Sequence, residues 1–199
     1  MGLKKKEEKT RLKFISQSKK TETTRSVAPL HEALIKSLSS EDDGVRVKAR
    51  HSLVAMGKAA VPPLTEALKT SDALVKWEAA KALGEIGAPE AAPSLVKALE
   101  DDQFDVRWLA AIGLIGMNIK GLKPLLHALM HQSDSVFLRQ GAHHVIHDLT
   151  KGELREYLAP VLAALENIEL AAGCPQAAFH ALEMLEKERK ISDTWKHSY

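Results

Sequence analysis

Several residue types and patterns are scarce in this 199-residue chain, and each scarcity excludes a class of protein. The single cysteine, Cys174, excludes an internal disulfide framework and favours a reducing compartment. No apolar run approaches the ~18–20 residues of a membrane span, and the charged start of the chain lacks the hydrophobic segment of a secretory signal. From these patterns we predict a cytoplasmic protein without a transmembrane segment.

Aromatic residues are also few. They make up 5% of the chain, against 45% for hydrophobic residues as a whole, so alanine and leucine supply most of the apolar content. Both residues favour helix over sheet. The composition therefore predicts an all-α fold.

Charge is unevenly distributed, although the formal net charge is only +2. Residues 1–26 carry nine Lys or Arg and three Glu, a balance of about +6, which leaves about −4 for the rest of the chain. This segment is rich in Lys, Glu, Thr and Ser, and we predict that it is a disordered basic tail. Such a tail can contact nucleic acid, an anionic membrane or an acidic partner through salt-sensitive attraction, or serve only solubility.

From Val27 onward, two helical patterns alternate along the chain. The first places an aliphatic residue three positions before an Ala-Leu pair, in "PLHEAL", "PLTEAL", "SLVKAL", "PLLHAL" and "PVLAAL". This i, i+3, i+4 spacing lies on one face of a helix. Proline stands near the start of most copies, where its missing N–H costs least.

The second pattern follows a turn that contains aspartate. It occurs as "VRVKARHSLVAMG", "VKWEAAKALGEIG", "VRWLAAIGLIGMN" and "LRQGAHHVIHDLT", which begin at Val45, Val75, Val106 and Leu138. A degenerate fifth copy contains "CPQAAFHALEML", from Cys174. Two patterns that recur in register with a period of about 31 residues predict helix pairs that must stack to bury their apolar stripes.

These repeats resemble the short HEAT-like repeats of phycobilin lyase subunits and of many other bacterial and archaeal proteins. Residues 71–99, "SDALVKWEAAKALGEIGAPEAAPSLVKAL", are close to the family pattern D-x-x-V-R-x-x-A-A-x-A-L-G-x-I-G followed by P-L-x-x-A-L. The resemblance implies a right-handed α-solenoid of about five HEAT-like helix pairs, whose second helices line a concave surface. The predicted domain plan is the disordered tail over residues 1–26, the solenoid over residues 27–187 and a short C-terminal tail over residues 188–199.

Second-helix positions outside the apolar stripe are expected to face that concave surface. A rotation of about 100° per residue places Trp77 nearly opposite Val75, and Trp108 nearly opposite Val106. Stacked repeats turn these positions into rows with an apolar centre and polar ends, which is the anatomy of a protein-binding patch. The predicted partner-binding residues, for a protein or peptide ligand, are Val47, Lys48, His51, Trp77, Glu78, Lys81, Trp108, Leu109, Ile112, Gln140 and His144.

Structural roles are the alternative for two of these features. Trp77 and Trp108 could pack on each other or fill gaps between repeats. A further row of basic residues, directly after the core position, consists of Arg46, Lys76, Arg107 and Arg139. These cations could bind an anion, but bonds to carboxylates or carbonyls of adjacent turns are the simpler role.

Nine histidines raise the hypothesis of a metal site, and helix geometry argues against it. His127 and His131 are expected on the outer face of a first helix, whereas His144 and His147 are expected on the groove, so neither set supplies three or four ligands. No nucleophile elbow, phosphate-binding glycine loop or zinc-type cysteine pair occurs. We therefore predict a non-catalytic protein without cofactor, metal or small-molecule substrate.

Two other functions stay open. Deoxyhypusine hydroxylase, a HEAT-repeat enzyme with similar helices, carries His-Glu pairs after the V-R position; only Glu78 matches here, so that activity is not implied. A phycobilin lyase-type subunit, or an assembly factor for another cofactor protein, is one alternative to a scaffold. A nucleic-acid-associated repeat protein is the other, although basic and acidic groove residues are too balanced for a strong phosphate track.

Overall fold

The structure, a computed structural model, describes residues 30–167 and 172–196, with side chains up to residue 188. Within these ranges the chain forms helices and turns and contains no strand. None of the helices there combines the length and the apolar character that a membrane span requires. The predicted basic tail, residues 1–26, lies outside the described residues.

Ten α-helices occur in the described ranges, and they alternate between the two sequence patterns. The first-pattern helices are α1 (helical over residues 30–37), α3 (Val61–Ala67), α5 (Ala92–Ala98), α7 (Ile119–Gln132) and α9 (Arg155–Glu166). The second-pattern helices are α2 (Asp43–Ala55), α4 (Ala73–Ile86), α6 (Phe104–Met117), α8 (Val136–Leu149) and α10 (Cys174–Lys196). The predicted all-α solenoid of five helix pairs is confirmed.

Polar residues of the inter-helix turns begin the second helices. Asp42 and Asp72 each accept two backbone N–H bonds from the first turn of α2 and α4, and the Ser135 hydroxyl accepts one from the first turn of α8. These bonds satisfy donors that a helix start leaves unpaired. Gly87 ends α4 in a left-handed conformation, with φ of 61°, which costs glycine little.

The apolar stripe of each second helix forms the core. In α4, Val75, Ala79, Ala82 and Leu83 are buried and Ile86 is half-buried against them, as the helix periodicity predicts. The second helices α2, α4, α6 and α8 pack side by side in that order, and α4, α6 and α8 also pack against the first-pattern helices on either side of them. Burial of one such leucine contributes about 1.5–3 kcal/mol, so the stack depends on many small contributions.

Two glycines let α4 and α6 approach closely. A Cβ atom on Gly113 would lie 3.0 Å from the Cα of Gly84 and 3.0 Å from Leu95 Cδ1. A contact that short is possible only because neither glycine carries a side chain. This tight packing fixes α6, which carries Trp108, against the α4 helix, which carries Trp77.

The last helix, α10, departs from the repeating arrangement. It packs against α7 and α9, whereas the earlier second helices pack on the second helix before them. It also continues to Lys196, so residues 188–196 extend a helix where a short C-terminal tail is expected. The segment 183–190, "EMLEKERK", contains strong helix formers and neither Gly nor Pro, which explains the extension. The Tyr157 hydroxyl donates to the Glu188 carboxylate and thereby joins α9 to α10.

Candidate partner-binding surface

Large apolar side chains are exposed at the start and along one face of α6 and α8. Phe104, Trp108 and Ile112 follow each other at intervals of four residues on α6, and Val136 and Phe137 begin α8; all five are between 43% and 64% exposed. Residues four apart lie on the same face of a helix, so the α6 side chains form one stripe. A contiguous exposed patch of this kind is typical of surfaces that bind partners.

A cleft of about 380 Å³ lies in this patch, between α6 and α8, and we refer to it as the α6–α8 cleft. The small residues Ala111 and Gly141 line it. The larger side chains that line the cleft are Phe104, Arg107, Trp108, Phe137, Gln140 and His144.

Stacking contacts hold the rings of the cleft in place. The Trp108 ring stacks on His144, with 4.6 Å between ring centroids, and on Phe104 at 6.5 Å. The Arg107 guanidinium lies 4.3 Å from the centroid of the Phe137 ring and 5.6 Å from that of Phe104. Such contacts order the side chains before a ligand arrives, which lowers the entropy lost on binding.

Trp77 lies in a different environment from Trp108. It is half-buried and packs against the core, with Lys81 Nζ 4.7 Å from its ring centroid. Among the ring contacts of the described residues, none joins Trp77 to Trp108; the latter instead stacks on Phe104 and His144. The two tryptophans therefore do not form a pair, and Trp108 is the more exposed anchor of the two.

Glu78 is the predicted surface residue that the structure places in the interior, which corrects the expectation that it contacts a partner. Its side chain is 2% exposed and accepts a hydrogen bond of 2.5 Å from Arg50 Nη1. Arg46 Nε lies 3.5 Å from the other carboxylate oxygen. The helix rotation explains the burial, because Glu78 lies only about 60° from the core residue Val75, on the side that faces α2. Glu78 thus joins α4 to α2, as a buried charge requires a partner.

The predicted residues on α2 and α4 lie at one end of the surface. Lys48 and His51 are exposed, Val47 is half-buried, and Lys81 is half-buried above Trp77. Polar side chains therefore predominate at this end.

The predicted residues on α6 and α8 lie closer to the cleft. Ile112 is exposed beside Trp108, whereas Leu109 is half-buried and packs against the core. Gln140 and His144 both line the cleft. The Nε2 atom of His144 is buried and has no hydrogen-bond partner among the described residues. The structure thus brings together Trp108, Gln140 and His144, and it adds aromatic residues that the sequence interpretation did not include.

Phe104 and Phe137 are the residues that the sequence interpretation missed. They precede the aligned core residues Val106 and Leu138 by two positions and one position, in the first turn of each helix. An alignment that starts at the core residue does not reach them. An aromatic residue two positions before the V-R pair is the signal that could have identified Phe104.

The row of basic residues is held by the turns that precede the second helices. Arg46, Arg107 and Arg139 each donate through Nη1 to the carbonyl oxygen six residues earlier, at 2.7, 2.8 and 3.2 Å respectively. These bonds satisfy turn carbonyls and fix the angle at which each helix begins. The contacts agree with the structural role predicted for this row.

Lys76 is the exception in the row, because it reaches the next repeat. Its Nζ donates to Asp101 and to Asp102, each at 2.7 Å. Burial opposes the charge of Lys76, but the bonds to the two carboxylates raise its pKa above the ordinary value. The same bond from Lys76 holds the pKa of Asp102 well below its usual range. The three groups link α4 to the turn before α6.

Histidine and cysteine side chains are the candidates for a metal site or a nucleophile. No group of three or more His, Cys, Asp or Glu there is arranged to hold a metal ion. His143 stacks on His147, with 5.9 Å between centroids, and its Nε2 lies 3.3 Å from Glu166. Cys174 is buried, and burial raises the pKa of its thiol, which disfavours the nucleophilic thiolate.

Comparison with known proteins supports the repeat architecture. Residues 31–115 match the family model of HEAT repeats. This range extends from α1 into α6, and the predicted HEAT-like character is confirmed there; the match does not extend to the phycobilin lyase type. A search of curated proteins found no match.

Two solved structures are similar to the chain. One is the crystal structure of an engineered protein from the Northeast Structural Genomics Consortium, with 21% identity, a TM-score of 0.41 and 79% of each chain covered. The other is a designed armadillo repeat protein, with 18% identity and a TM-score of 0.38; the similarity covers 81% of this chain and 85% of that one.

Proposed function

We propose that this protein is a non-catalytic scaffold that holds a partner protein or peptide on its second-helix surface, with the α6–α8 cleft at the centre of the contact. The observation that carries the proposal is the group of stacked rings around that cleft, in which the exposed Trp108 stacks on the exposed Phe104 and on the half-buried His144. Tryptophan is enriched among the residues that dominate binding energies. We propose the cytoplasm as its compartment, on the basis of its single, buried cysteine.

The arrangement suits binding without chemistry. An exposed aromatic ring loses water-accessible area when a partner covers it, and a ring already held by its neighbours loses little conformational freedom. The polar residues Lys48 and His51 lie at the α2 end of the same face and can select among partners through charge. The basic N-terminal segment, residues 1–26, adds a candidate contact for an acidic region of the partner.

Internal ion pairs favour this function over nucleic-acid binding. Arg50 is paired with Glu78, Arg46 with Asp43 and Glu78, and Lys76 with two aspartates. Cations that are neutralised within the fold are not available to release counterions from a phosphate backbone. No contact among the described residues specifically favours the lyase-type alternative.

The test compares the loss of two exposed apolar side chains at the cleft with the loss of two elsewhere. The variant Phe104→Ala/Trp108→Ala removes rings of the α6 stripe, and the matched control Phe179→Ala/Met184→Ala removes side chains of α10 that are 43% and 45% exposed. Partners captured from a lysate by the full-length wild type are purified. Their affinities for the wild type and for each variant are then measured by calorimetry. We expect the cleft variant to bind at least about 30-fold more weakly, because hot-spot truncation costs about 2 kcal/mol or more.

The control variant should bind the partner like the wild type. A partner that binds the cleft variant with unchanged affinity contradicts the proposal, as does an equal loss in both variants. Circular dichroism of each variant establishes that the helices are retained, so that a loss of binding is not a loss of fold.

A further inference from the structure

Arg46 and Arg107 occupy the same position in the first and third second-pattern helices, directly after the aligned valines Val45 and Val106. Each guanidinium donates through Nη1 to two consecutive carbonyl oxygens of the preceding turn. The distances are 2.7 and 3.0 Å for Arg46, and 2.8 and 3.1 Å for Arg107. These shared bonds place the two guanidinium groups equivalently with respect to their helices. The partners of Arg46 therefore indicate which groups could bind Arg107.

The remaining edge of the Arg46 guanidinium is covered by two carboxylates of the chain itself. Its Nη2 donates to Asp43 at 2.7 Å, and its Nε lies 3.5 Å from Glu78. Asp43 stands three residues before the arginine on α2, and Glu78 comes from the next second helix, α4. Charge-assisted bonds of this kind are the strong ones in proteins.

Arg107 lacks both carboxylates. In the repeat alignment, Phe104 stands where the first repeat has Asp43, and Gly141 stands where the next helix has Glu78. Within the described residues, the hydrogen bonds of Arg107 are those to the two turn carbonyls. Gly141 has no side chain and lines the α6–α8 cleft, and Leu99 lies 2.8 Å from the position that its Cβ would take. The exchange therefore leaves Arg107 without the two internal anions that Arg46 has, and Arg107 lines the α6–α8 cleft.

The surroundings of Arg107 strengthen its attraction for an anion. The rings of Phe104 and Phe137 lie against its guanidinium, at 5.6 and 4.3 Å, and limit the water that screens its charge. The amide of Gln140 and the unpartnered Nε2 of His144 line the same cleft. The cleft thus combines apolar walls with a cation that lacks the two carboxylates bound to Arg46.

We propose that the α6–α8 cleft binds an acidic side chain, Asp or Glu, that lies next to an aromatic or aliphatic residue in a partner peptide. The carboxylate takes the positions that Asp43 and Glu78 hold at Arg46, and the apolar neighbour lies against Trp108 and Phe137. This inference rests on the proposed function and specifies the chemistry of the partner.

The test uses three synthetic peptides with blocked termini that differ at one residue, so that a Phe-Glu, Phe-Gln or Phe-Lys pair stands in the same short apolar context. Binding to the full-length protein is measured by calorimetry. We expect the Glu peptide to bind roughly 10- to 100-fold more tightly than the Gln peptide, because a hydrogen bond to a charged group contributes about that factor. The Lys peptide should bind most weakly.

Variants of the protein identify the residue responsible. Arg107→Gln should abolish the preference for Glu over Gln, whereas Arg139→Gln, an equivalent arginine that does not line the cleft, should leave it unchanged. Phe104→Asp supplies the internal carboxylate that Asp43 supplies in the first repeat, and it should also abolish the preference. Phe104→Asn removes the same ring without adding charge, and it should weaken all three peptides while the preference stays.

Three results would overturn the inference. They are equal affinities for the Glu and Gln peptides, no binding of the Glu peptide at millimolar concentration, and a preference that survives Arg107→Gln. A fourth peptide, which ends in Phe with a free α-carboxylate, distinguishes the source of the anion: if only that peptide binds, an acidic side chain is the wrong ligand.

Failure of this inference is separable from failure of the proposed function. If a partner's binding depends on Phe104 and Trp108 but not on Arg107, the scaffold proposal stands and the carboxylate inference fails. If instead the preference for Glu depends on Arg107 but no partner depends on the Phe104/Trp108 pair, the carboxylate inference stands and the scaffold proposal fails.

Discussion

Replacement of Glu78 by leucine tests how the buried ion pair between α2 and α4 contributes to stability. The Glu78 and Arg50 side chains are 2% and 7% exposed, and 2.5 Å separates the bonded atoms. Arg50 Nε has no hydrogen-bond partner among the described residues and lies 3.6 Å from Glu85, which is more exposed. After Glu78→Leu, Arg50 would keep its charge in a buried position with only that longer contact.

The expected cost follows from these contacts. Two unit charges at this separation attract each other by roughly 6–7 kcal/mol at an effective dielectric of about 20, and the cost of burying both charges offsets most of that gain. Removal of one partner leaves the other buried without compensation, which typically costs about 3–5 kcal/mol. For a domain of this size, that corresponds to a fall in Tm of roughly 6–20 °C.

The double variant Arg50→Ala/Glu78→Leu should recover most of the loss. Ala80 and Leu109 occupy the equivalent positions one repeat later, so the chain already has apolar residues at both aligned positions. A buried ion pair replaced by apolar side chains of suitable volume is often neutral or stabilising. Arg46 retains its bonds to the preceding turn and to its neighbouring aspartate in the double variant.

The measurement is urea unfolding monitored by circular dichroism. It compares the wild type with Glu78→Leu, Arg50→Ala and the double variant. Hydrogen exchange of α2 and α4 reports whether the loss is local, as expected of repeats that contact only their neighbours. The reasoning is refuted if Glu78→Leu costs less than about 1 kcal/mol, the worth of an exposed pair, or if the double variant is as unstable as that single variant.

Three further predictions concern other parts of the solenoid. Gly121→Ala should destabilise the protein by about 2 kcal/mol or more, because its Cβ would lie 2.6 Å from a backbone carbonyl oxygen of α6. Gly116→Ala, whose Cβ meets nothing within 4 Å, should be neutral or stabilising by up to about 1 kcal/mol; equal costs for the two in urea unfolding would contradict this. The bond to Glu188 raises the pKa of Tyr157 to about 12, so the stability that the bond contributes is fully present below about pH 10 and is lost as pH rises through 12. Glu188→Gln should move the tyrosinate absorbance midpoint down towards 10, and an unmoved midpoint would show that the bond is not the cause. Trp108→Ala should cost less than about 2 kcal/mol of unfolding free energy, since the ring is 47% exposed; a cost of about 3–5 kcal/mol would instead identify a core residue.

The repeat pattern was sufficient to predict the fold because the helix stripes depend on local spacing. Val75, Ala79 and Leu83 are buried as their periodicity requires, and the same rule places Trp108 outside the core. Asp72 and Ser135 cap helices at the turns where the sequence places them. Each of these features depends on residues within about one or two helical turns, which a sequence displays directly.

The candidate site was predicted less completely, because its details depend on contacts between repeats. Glu78 stands at the border between stripe and surface, and its burial is decided by Arg50, 28 residues earlier on another helix. Phe104 and Phe137 contribute to one cleft only because α6 and α8 are adjacent.

The sequence by itself determined the all-α class, the alternation of two helix types and the second-helix face on which exposed residues lie. The tertiary structure decided which charges are buried, that Trp108 stacks on His144 instead of Trp77, and that α10 packs against α7 and α9. The physical reason is the range of the interactions. Helix formation and amphipathic patterning act within a few residues, whereas pairing across repeats depends on how closely the helices approach, as at Gly84 and Gly113.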